Sequence, residues 1–379
     1  MQILAVDIGT GTQDILLFDT EKEPENALKL VMPSPTVLLA QAIRRATQAG
    51  EAVLLTGVTM GGGPCAWAVE DHLKAGLRVL ATPDAARTIN DDLGEVAAMG
   101  VEVVGEEEAA GPAGVCRLTM VDFDYAAIAR AFGAFDVELD RVDLLAIAVF
   151  DHGAAPPGVS DRLFRFEYLA ERVRQDGELA AFAFSRDQIP SSMTRLQAAA
   201  STAPADRPVL VMDTAPAAVL GALEDRHVQA QQEAVVVNIG NFHTLAFHLR
   251  RHPWPAGPMA TRQANAVRIV GLFEHHTGLL SQTRLEELLI QLANGTLSHD
   301  ELFAEHGHGA LVLDQSPTAL GFVALTGPRR GILAASALRP YPAVPYGDMM
   351  MAGCWGLVRA CARVLPWTTE AIERALDRP

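Results

Sequence analysis

The sequence predicts an α/β protein of two lobes, each a mixed sheet of the five-stranded type flanked by helices. Three observations carry this expectation. The chain has 379 residues, which is more than one typical domain and enough for two. Its first part alternates short apolar strands with helical stretches. A strand, glycine turn and strand at the N-terminus, Ala5-Val6-Asp7-Ile8-Gly9-Thr10, recurs as Val236-Val237-Asn238-Ile239-Gly240-Asn241 about 230 residues later.

The elements follow in order. Ile3 to Asp7 is a short apolar run, Ile8 to Thr12 a tight turn, and Ile15 to Phe18 a second run, together a hairpin. Leu28 to Met32 adds a third strand. Thr36 to Gln48 reads as a helix closed by Gly50. Ala52 to Thr56 is a buried strand that runs through Thr59 to Pro64 into a helix ending at Lys74, and Leu77 to Ala81 is another strand. On this reading these strands extend the hairpin sheet. Glu106-Glu107-Glu108 reads as a solvated loop. Leu144 to Phe150 is a strongly apolar strand ending at Asp151-His152-Gly153; Asp161 to Gln175 is helical, Thr202 to Pro208 a linker, and Val209 to Met212 a strand. Ala234 to Val237 and Thr244 to Leu249 form the second hairpin. The lobe boundary is expected near Asp225 to Glu233, giving an N-terminal lobe with insertions over 1–228 and a C-terminal lobe over 229–379.

Composition narrows the function. A hydrophobic fraction of 49% with 20% charged residues is ordinary for a globular protein. The net charge of −16 argues against a nucleic-acid surface and against an anionic membrane, although a local basic pocket for phosphates is compatible with it. No apolar run approaches the roughly 20 residues that span a bilayer. Met1 to Asp7 reads as a strand rather than as a signal peptide. Cys65, Cys116, Cys354 and Cys361 make no CxxC pair, so they are expected as buried thiols in a reducing cytoplasm.

Three sets of residues carry candidate chemistry. The first is Asp7-Ile8-Gly9-Thr10-Gly11-Thr12. Glycine lets backbone N–H groups approach an anion closely, Thr10 and Thr12 add hydroxyls, and Asp7 would hold Mg²⁺ directly or through water. An ordinary hairpin turn is the plain alternative. The second is Thr59 to Pro64, where Gly61, Gly62 and Gly63 precede a helix start and would bind a substrate carboxylate or phosphate. A tight turn explains it equally, and no Walker loop is present. The third is histidine beside carboxylate: Asp151-His152-Gly153, Glu274-His275-His276 and Glu305-His306-Gly307-His308, with His243 and His248 besides. Such sets ligate metals or work as acid–base pairs; the alternative is capping and loop histidines, and no HExxH spacing occurs. Asp151 is the expected general base for phosphoryl transfer, with His152 as its competitor and a strand-end cap as the plain reading. His275 and His276 are candidate substrate contacts.

The order of these segments resembles the superfamily of actin-like ATPases, sugar kinases and seventy-kilodalton heat-shock proteins, built of two ribonuclease-H-like lobes. Its first phosphate segment is similar to Asp7–Thr12 and its second to Asn238-Ile239-Gly240-Asn241-Phe242-His243-Thr244. Its connecting helices are similar to Asp213–Leu223 and Gly347–Gly356, and its adenosine segment to Ala324–Gly331. The resemblance implies Mg²⁺–ATP held by Asp7, Gly9, Thr10, Thr12, Asn238, Gly240, Gly327 and Arg329, between lobes that close on a small-molecule substrate. Asn238 stands where the superfamily carries Asp, which leaves that side of the site without a charge.

The strings Asp7–Asp14, Thr59–Pro64, Asp151–Gly153 with Pro156-Pro157-Gly158, Glu274–Gly278 and Gly307–Gly309 also resemble an uncharacterised prokaryotic family labelled as pyruvate formate-lyase activating enzymes. Such activators are radical enzymes with a CxxxCxxC iron–sulfur motif, and no cysteine here has that spacing. Three readings stand side by side: an ATP-dependent phosphotransferase or ATPase acting on an unknown small molecule, a nucleotide-dependent switch or reactivating chaperone for a partner enzyme, and a His–carboxylate metal hydrolase. A protein partner or a homodimer is compatible with each.

Overall fold

Gln2–Ile8 (β1) and Thr12–Asp19 (β2) are buried along nearly their whole length and pair antiparallel, with Leu28–Pro33 (β3) beside β2 at the sheet's edge. Leu144–Val149 (β8), with all six residues buried as expected of a parallel strand covered on both faces, takes the place on the other side of β1 and runs parallel to it. Val209–Asp213 (β10) lies parallel to β8, and Ala183–Ser185 (β9) closes that edge. The resulting order is β3-β2-β1-β8-β10-β9. The computed structural model describes residues 1–110, 114–156, 158–251, 267–314 and 319–377, so Pro157 lies outside the described residues.

The second sheet repeats this plan. Glu233–Ile239 (β11) pairs antiparallel with His243–Arg251 (β12), followed by Val267–His276 (β13) and Gly309–Val312 (β14). Val323–Thr326 (β15) lies parallel to β11, with Tyr341–Pro342 (β16) outside it. Its order is β14-β13-β12-β11-β15-β16. Both sheets share one core, in which a three-stranded antiparallel meander is followed by two parallel strands on the far side of its first strand. The protein has the expected fold class of two ribonuclease-H-like lobes with mixed sheets flanked by helices, but each sheet has six strands rather than five, β9 and β14 being added at the edges.

Between β3 and β8 the chain departs from expectation. Ala52–Gly57 (β4), Val79–Ala81 (β5), Val101–Val103 (β6) and Val115–Met120 (β7) do not extend the hairpin sheet; they form a separate parallel sheet in the order β6-β5-β4-β7. The reason lies in packing. The place beside β1 is filled by β8, while Val53, Leu55, Val79 and Ala81 bury against the helices Pro35–Ala49 and Pro64–Lys74 in a core of their own. Within this insertion Glu106–Ala110 is a short helix rather than a loop. The helix Pro35–Ala49 ends as expected, at Gly50 in the left-handed region with φ of 69°.

Two helices join the lobes. Thr214–Ala222 leaves β10 and packs on β11 and β15 of the second sheet, while Ala352–Val364 packs back on β1 and β8 of the first. They cross at backbone contact. A Cβ on Gly221 would lie 1.7 Å from the Ala352 carbonyl oxygen, and one on Gly356 would lie 1.8 Å from that of Ala217. Among the described residues no helix is long and apolar enough to cross a membrane.

Because the opposing atoms are backbone, they cannot swing aside. Gly221→Ala and Gly356→Ala are each expected to cost at least about 1–3 kcal/mol by overpacking. Gly331→Ala, with nothing within 4 Å of its Cβ position, should stay within about 0.5 kcal/mol of the parent. Urea midpoints of the three variants make the comparison; equal midpoints would remove the close crossing.

Candidate functional site

The two hairpin turns use the same chemistry. Gly9 N–H donates to the Thr12 carbonyl and Gly240 N–H to the His243 carbonyl, both at 2.9 Å. Glycine is required in the second turn, since a Cβ on Gly240 would sit 2.8 Å from the His243 carbonyl oxygen. The turns meet tip to tip, the Cβ position of Gly11 lying 3.0 Å from Asn241 Nδ2. Between the lobes is a cleft of ≈ 390 Å³. Its lining includes Asp7, Gly9, Thr10, Thr12, Gly61, Gly62, Gly63, Asp151, His152, Asn238, Gly240 and Gly327, so most of the residues singled out from sequence come together. Arg329, His275 and His276 are not among the lining residues. Arg329 is exposed and meets the second hairpin through its backbone, its N–H donating to the Ile239 carbonyl at 3.0 Å.

Asp7 sits at the cleft floor, where both connecting helices begin. Its Oδ1 accepts a 2.5 Å hydrogen bond from Thr214 Oγ1, and a Cβ on Gly353 would lie 1.8 Å from its Oδ2. Directly opposite on β2 is Asp14, whose Oδ1 is buried without a hydrogen-bond partner. Burial pushes the Asp7 carboxyl up to about 7 against the pull of Thr214; burial and the charge of Asp7 push Asp14 up to about 8. The signal for Asp14 was present in the sequence, because a hairpin turning at Gly9–Gly11 sets residue 14 opposite residue 7.

The glycines of Thr59–Pro64 line the cleft for steric reasons. The Gly61 N–H donates to the Asp122 carboxylate at 3.1 Å and is not free for an anion. A Cβ on Gly61 would lie 2.5 Å from Arg195 Nη2, and one on Gly63 would lie 2.9 Å from Phe242. Arg195 in turn clamps Asp122 and donates to the Phe150 carbonyl at 2.6 Å. Phe242, which lines the cleft at the second hairpin, stands edge-on to Trp67 of the inserted sheet's helix with centroids 5.5 Å apart.

Asp151 is buried, and both of its oxygens accept backbone N–H groups at 2.8 Å, from Gly153 and from Leu196. It is a strand-end cap by geometry, with a pKa raised by burial despite those bonds. His152 is half-exposed, and its Nε2 lies 3.5 Å from Asp91 Oδ2. The bond to Asp91 raises the His152 pKa above its ordinary value. Nothing local in the sequence marks Asp91.

The histidines regroup across the second sheet. His243 and His276 are cross-strand partners on β12 and β13, and the His308 backbone N–H donates to the Glu274 carbonyl just before β14. Three imidazoles thus meet at one sheet edge, with centroids 4.6–5.2 Å apart. His275 points to the opposite face, as strand alternation requires, and is packed beneath Gly307. Glu305 and His306 stay outside the group, Glu305 pairing with Arg284. Burial and the neighbouring His243 push His276 down to about 4; burial pushes His308 down to about 3 against the attraction of Glu274.

Beneath this edge is a buried ion network. Glu274 accepts His243 Nδ1 at 2.9 Å and Arg165 Nε at 2.9 Å. Arg165, from the helix Asp161–Gln175, also donates to Asp213 at 2.7 Å and to the Asp151 carbonyl at 2.6 Å. Burial alone would raise the Glu274 pKa, but Arg165 and the histidines outweigh it and hold the carboxyl well below the usual range. Arg165 and Glu274 are 109 residues apart, and no local pattern reveals the pair.

The Asp7–Asp14 pair makes a pH prediction. Their folded-state pKa values lie above the ordinary 3.8. Their stabilising contribution is therefore complete below that value and is lost as pH rises through about 7 and 8. Asp14→Asn keeps the neutral shape. Without divalent cations it should gain Tm relative to the parent as pH rises from about 4 to 8. Calorimetric scans across that window check it, and a pH-independent difference would contradict the assignment.

No functionally curated protein matches the chain. The solved structures it resembles are distant. An inorganic polyphosphate/ATP-glucomannokinase from Arthrobacter sp. strain KM is 14% identical, covering 100% of this chain and 99% of that one, with a TM-score of 0.32. The activator of the 2-hydroxyisocaproyl-CoA dehydratase from Clostridium difficile, with bound ADPNP, is 8% identical over 100% and 98%, with a TM-score of 0.34. A ROK hexokinase from Thermus thermophilus is 13% identical over 95% and 98%, with a TM-score of 0.28. Scores this low transfer no activity. The sequence itself, over residues 60–332, matches the family model described as "Putative pyruvate format-lyase activating enzyme (DUF1786)", and the chain belongs to that family.

Proposed function

We propose that this protein is a Mg²⁺–ATP-binding phosphotransferase or ATPase acting on a small molecule. The observation that carries the reading is the pair of matched hairpin turns, facing each other across a cleft with two buried carboxylates on its floor. The residues present fit a divalent cation. Asp14 Oδ1 has no partner, and burial pushes the pKa of both carboxyls up, with the charge of Asp7 adding to it at Asp14; a bound cation would offset both effects. Bound there, Mg²⁺ would neutralise charge on the phosphates. Asp7 and Asp14 would hold it, the two hairpin turns with Thr10, Thr12 and Asn238 would bind phosphate oxygens, and the Gly327 turn would pack under the base. The ring contact of Phe242 with Trp67 braces the second hairpin against the inserted sheet's helix beside the cleft.

Proton transfer falls to His152 rather than to Asp151. His152 reaches the cleft and is oriented by Asp91, whereas both oxygens of Asp151 are engaged with backbone. The switch reading is favoured by one observation: Asn238 supplies no charge, so among the described residues the cleft-floor carboxylates come from the first lobe. The radical chemistry of the family's description finds no ligand set in the cysteines. Cys65 and Cys116 belong to the inserted sheet and its helix, and Cys354 and Cys361 are buried in the second connecting helix.

Calorimetric titration with ATP, with and without Mg²⁺, tests the reading. The expected result is metal-dependent binding that Asp7→Asn weakens about tenfold or more; no binding to the parent protein would refute it. Once an acceptor is in hand, His152→Gln should lower kcat by about 10²–10⁴ with Mg²⁺–ATP affinity little changed. Asp151→Asn should instead cost stability, about 1–3 kcal/mol, by setting an amide against a backbone N–H. The reverse pattern, with kcat lost only in Asp151→Asn, would return the base to Asp151.

A further inference from the structure

We propose that His243, His276 and His308 form a binding site for one divalent transition-metal ion of the zinc class, separate from the Asp7–Asp14 floor. One nitrogen from each ring lies within 4.8 Å of the other two. A tetrahedral zinc with Zn–N of about 2.0–2.1 Å sets its donors roughly 3.4 Å apart, a gap that small side-chain rotations close. His243 and His276 come from the paired strands β12 and β13, and His308, just before β14, is held by its backbone N–H bond to the Glu274 carbonyl, so backbone pairing fixes all three Cα atoms.

Two further observations point to a ligand. His308 is 3% exposed, yet its Nδ1 has no hydrogen-bond partner, and its Nε2 comes no nearer than 4.0 Å to Glu274 Oε1. A buried nitrogen is rarely left so. His243 has the reverse arrangement: Nδ1 is bonded to Glu274 at 2.9 Å, which fixes the tautomer and leaves Nε2 for a metal. Glu274 is itself anchored by Arg165, so the carboxylate–histidine unit is preorganised. The Phe150 ring packs on His243 at 4.1 Å and fixes its plane.

The donor set selects the ion. Three imidazoles suit zinc, nickel, copper or ferrous iron, and Mg²⁺ prefers oxygen. Three protein ligands make an open site, which leaves a position for an exchangeable oxygen donor. His243 also lines the cleft, so the ion would stand in its second-lobe wall. The site does not rest on the nucleotide reading.

The experiment uses chelator-stripped, nucleotide-free full-length protein in excess Mg²⁺, titrated with Zn²⁺ against a chromophoric competing chelator. One Zn²⁺ per chain is expected, with affinity lowered at least about tenfold in His276→Gln and in His308→Gln, and about 10–100-fold in Glu274→Gln. His276 is only half-buried at a strand end, so its variant is the safer for folding. Co²⁺ bound to the parent gives a second readout that needs no variant: the strong visible absorption of a four-coordinate ion. Asp7→Asn should keep the Zn²⁺ stoichiometry even if it loses nucleotide. No Zn²⁺ bound at micromolar concentration, a six-coordinate Co²⁺ spectrum, or stoichiometry and affinity unmoved in His276→Gln would each overturn the site.

Discussion

Arg165 is the group on which the arrangement of the two lobes depends. Its guanidinium is fully buried, and it joins the first lobe's helix Asp161–Gln175 to Asp213 at the start of a connecting helix and to Glu274 of the second sheet. A buried cation is tolerable only if its donors are satisfied, and here two carboxylates and the Asp151 carbonyl do so. Phe150 lies against it, with the guanidinium carbon 3.8 Å from the ring centroid. The opposite consequence holds for Glu274, which stays ionised in a dry interior chiefly because Arg165 is there, with His308 and His243 adding to it. That charge then orients His243. One ion cluster thus ties the lobe interface, the strand end at Asp151 and the histidine edge into a single unit.

Two matched hairpins frame the cleft, and the residues they carry make it asymmetric. Each lobe offers a glycine hairpin closed by the same backbone hydrogen bond, and the two tips touch at Gly11 and Asn241. The acidic floor belongs to the first lobe alone, since Asp7 and Asp14 have Asn238 and Leu245 at the matching places of the second hairpin. The second lobe contributes histidine instead. The connecting helices can cross so closely because glycine removes the side chains at Gly221 and Gly356, and the same economy at Gly353 lets the second helix begin against Asp7. Fold closure and site geometry therefore share one set of small residues.

Local patterns in the chain determined a good deal by themselves. The repeated hairpin, the apolar run at Leu144–Val149, the helix stop at Gly50 and the small-residue connecting helices were legible because each depends on residues near in sequence. The cleft-lining glycines and Asp7 followed from the same turns, and Asp14 was within reach of simple register counting. Tertiary structure alone decided the rest. It gave β4 and β5 a sheet of their own, since a parallel strand's neighbour is set by competition for a buried slot rather than by its own sequence. It turned Asp151 into a cap and directed Gly61 toward Asp122, because partners for buried polar groups arrive from distant segments. It separated His275 from His276, which alternation places on opposite faces, and brought His276 to His243 and His308 through strand pairing. Composition and periodicity read what the backbone does with its neighbours; which charges and imidazoles meet is settled by register and burial across the whole fold.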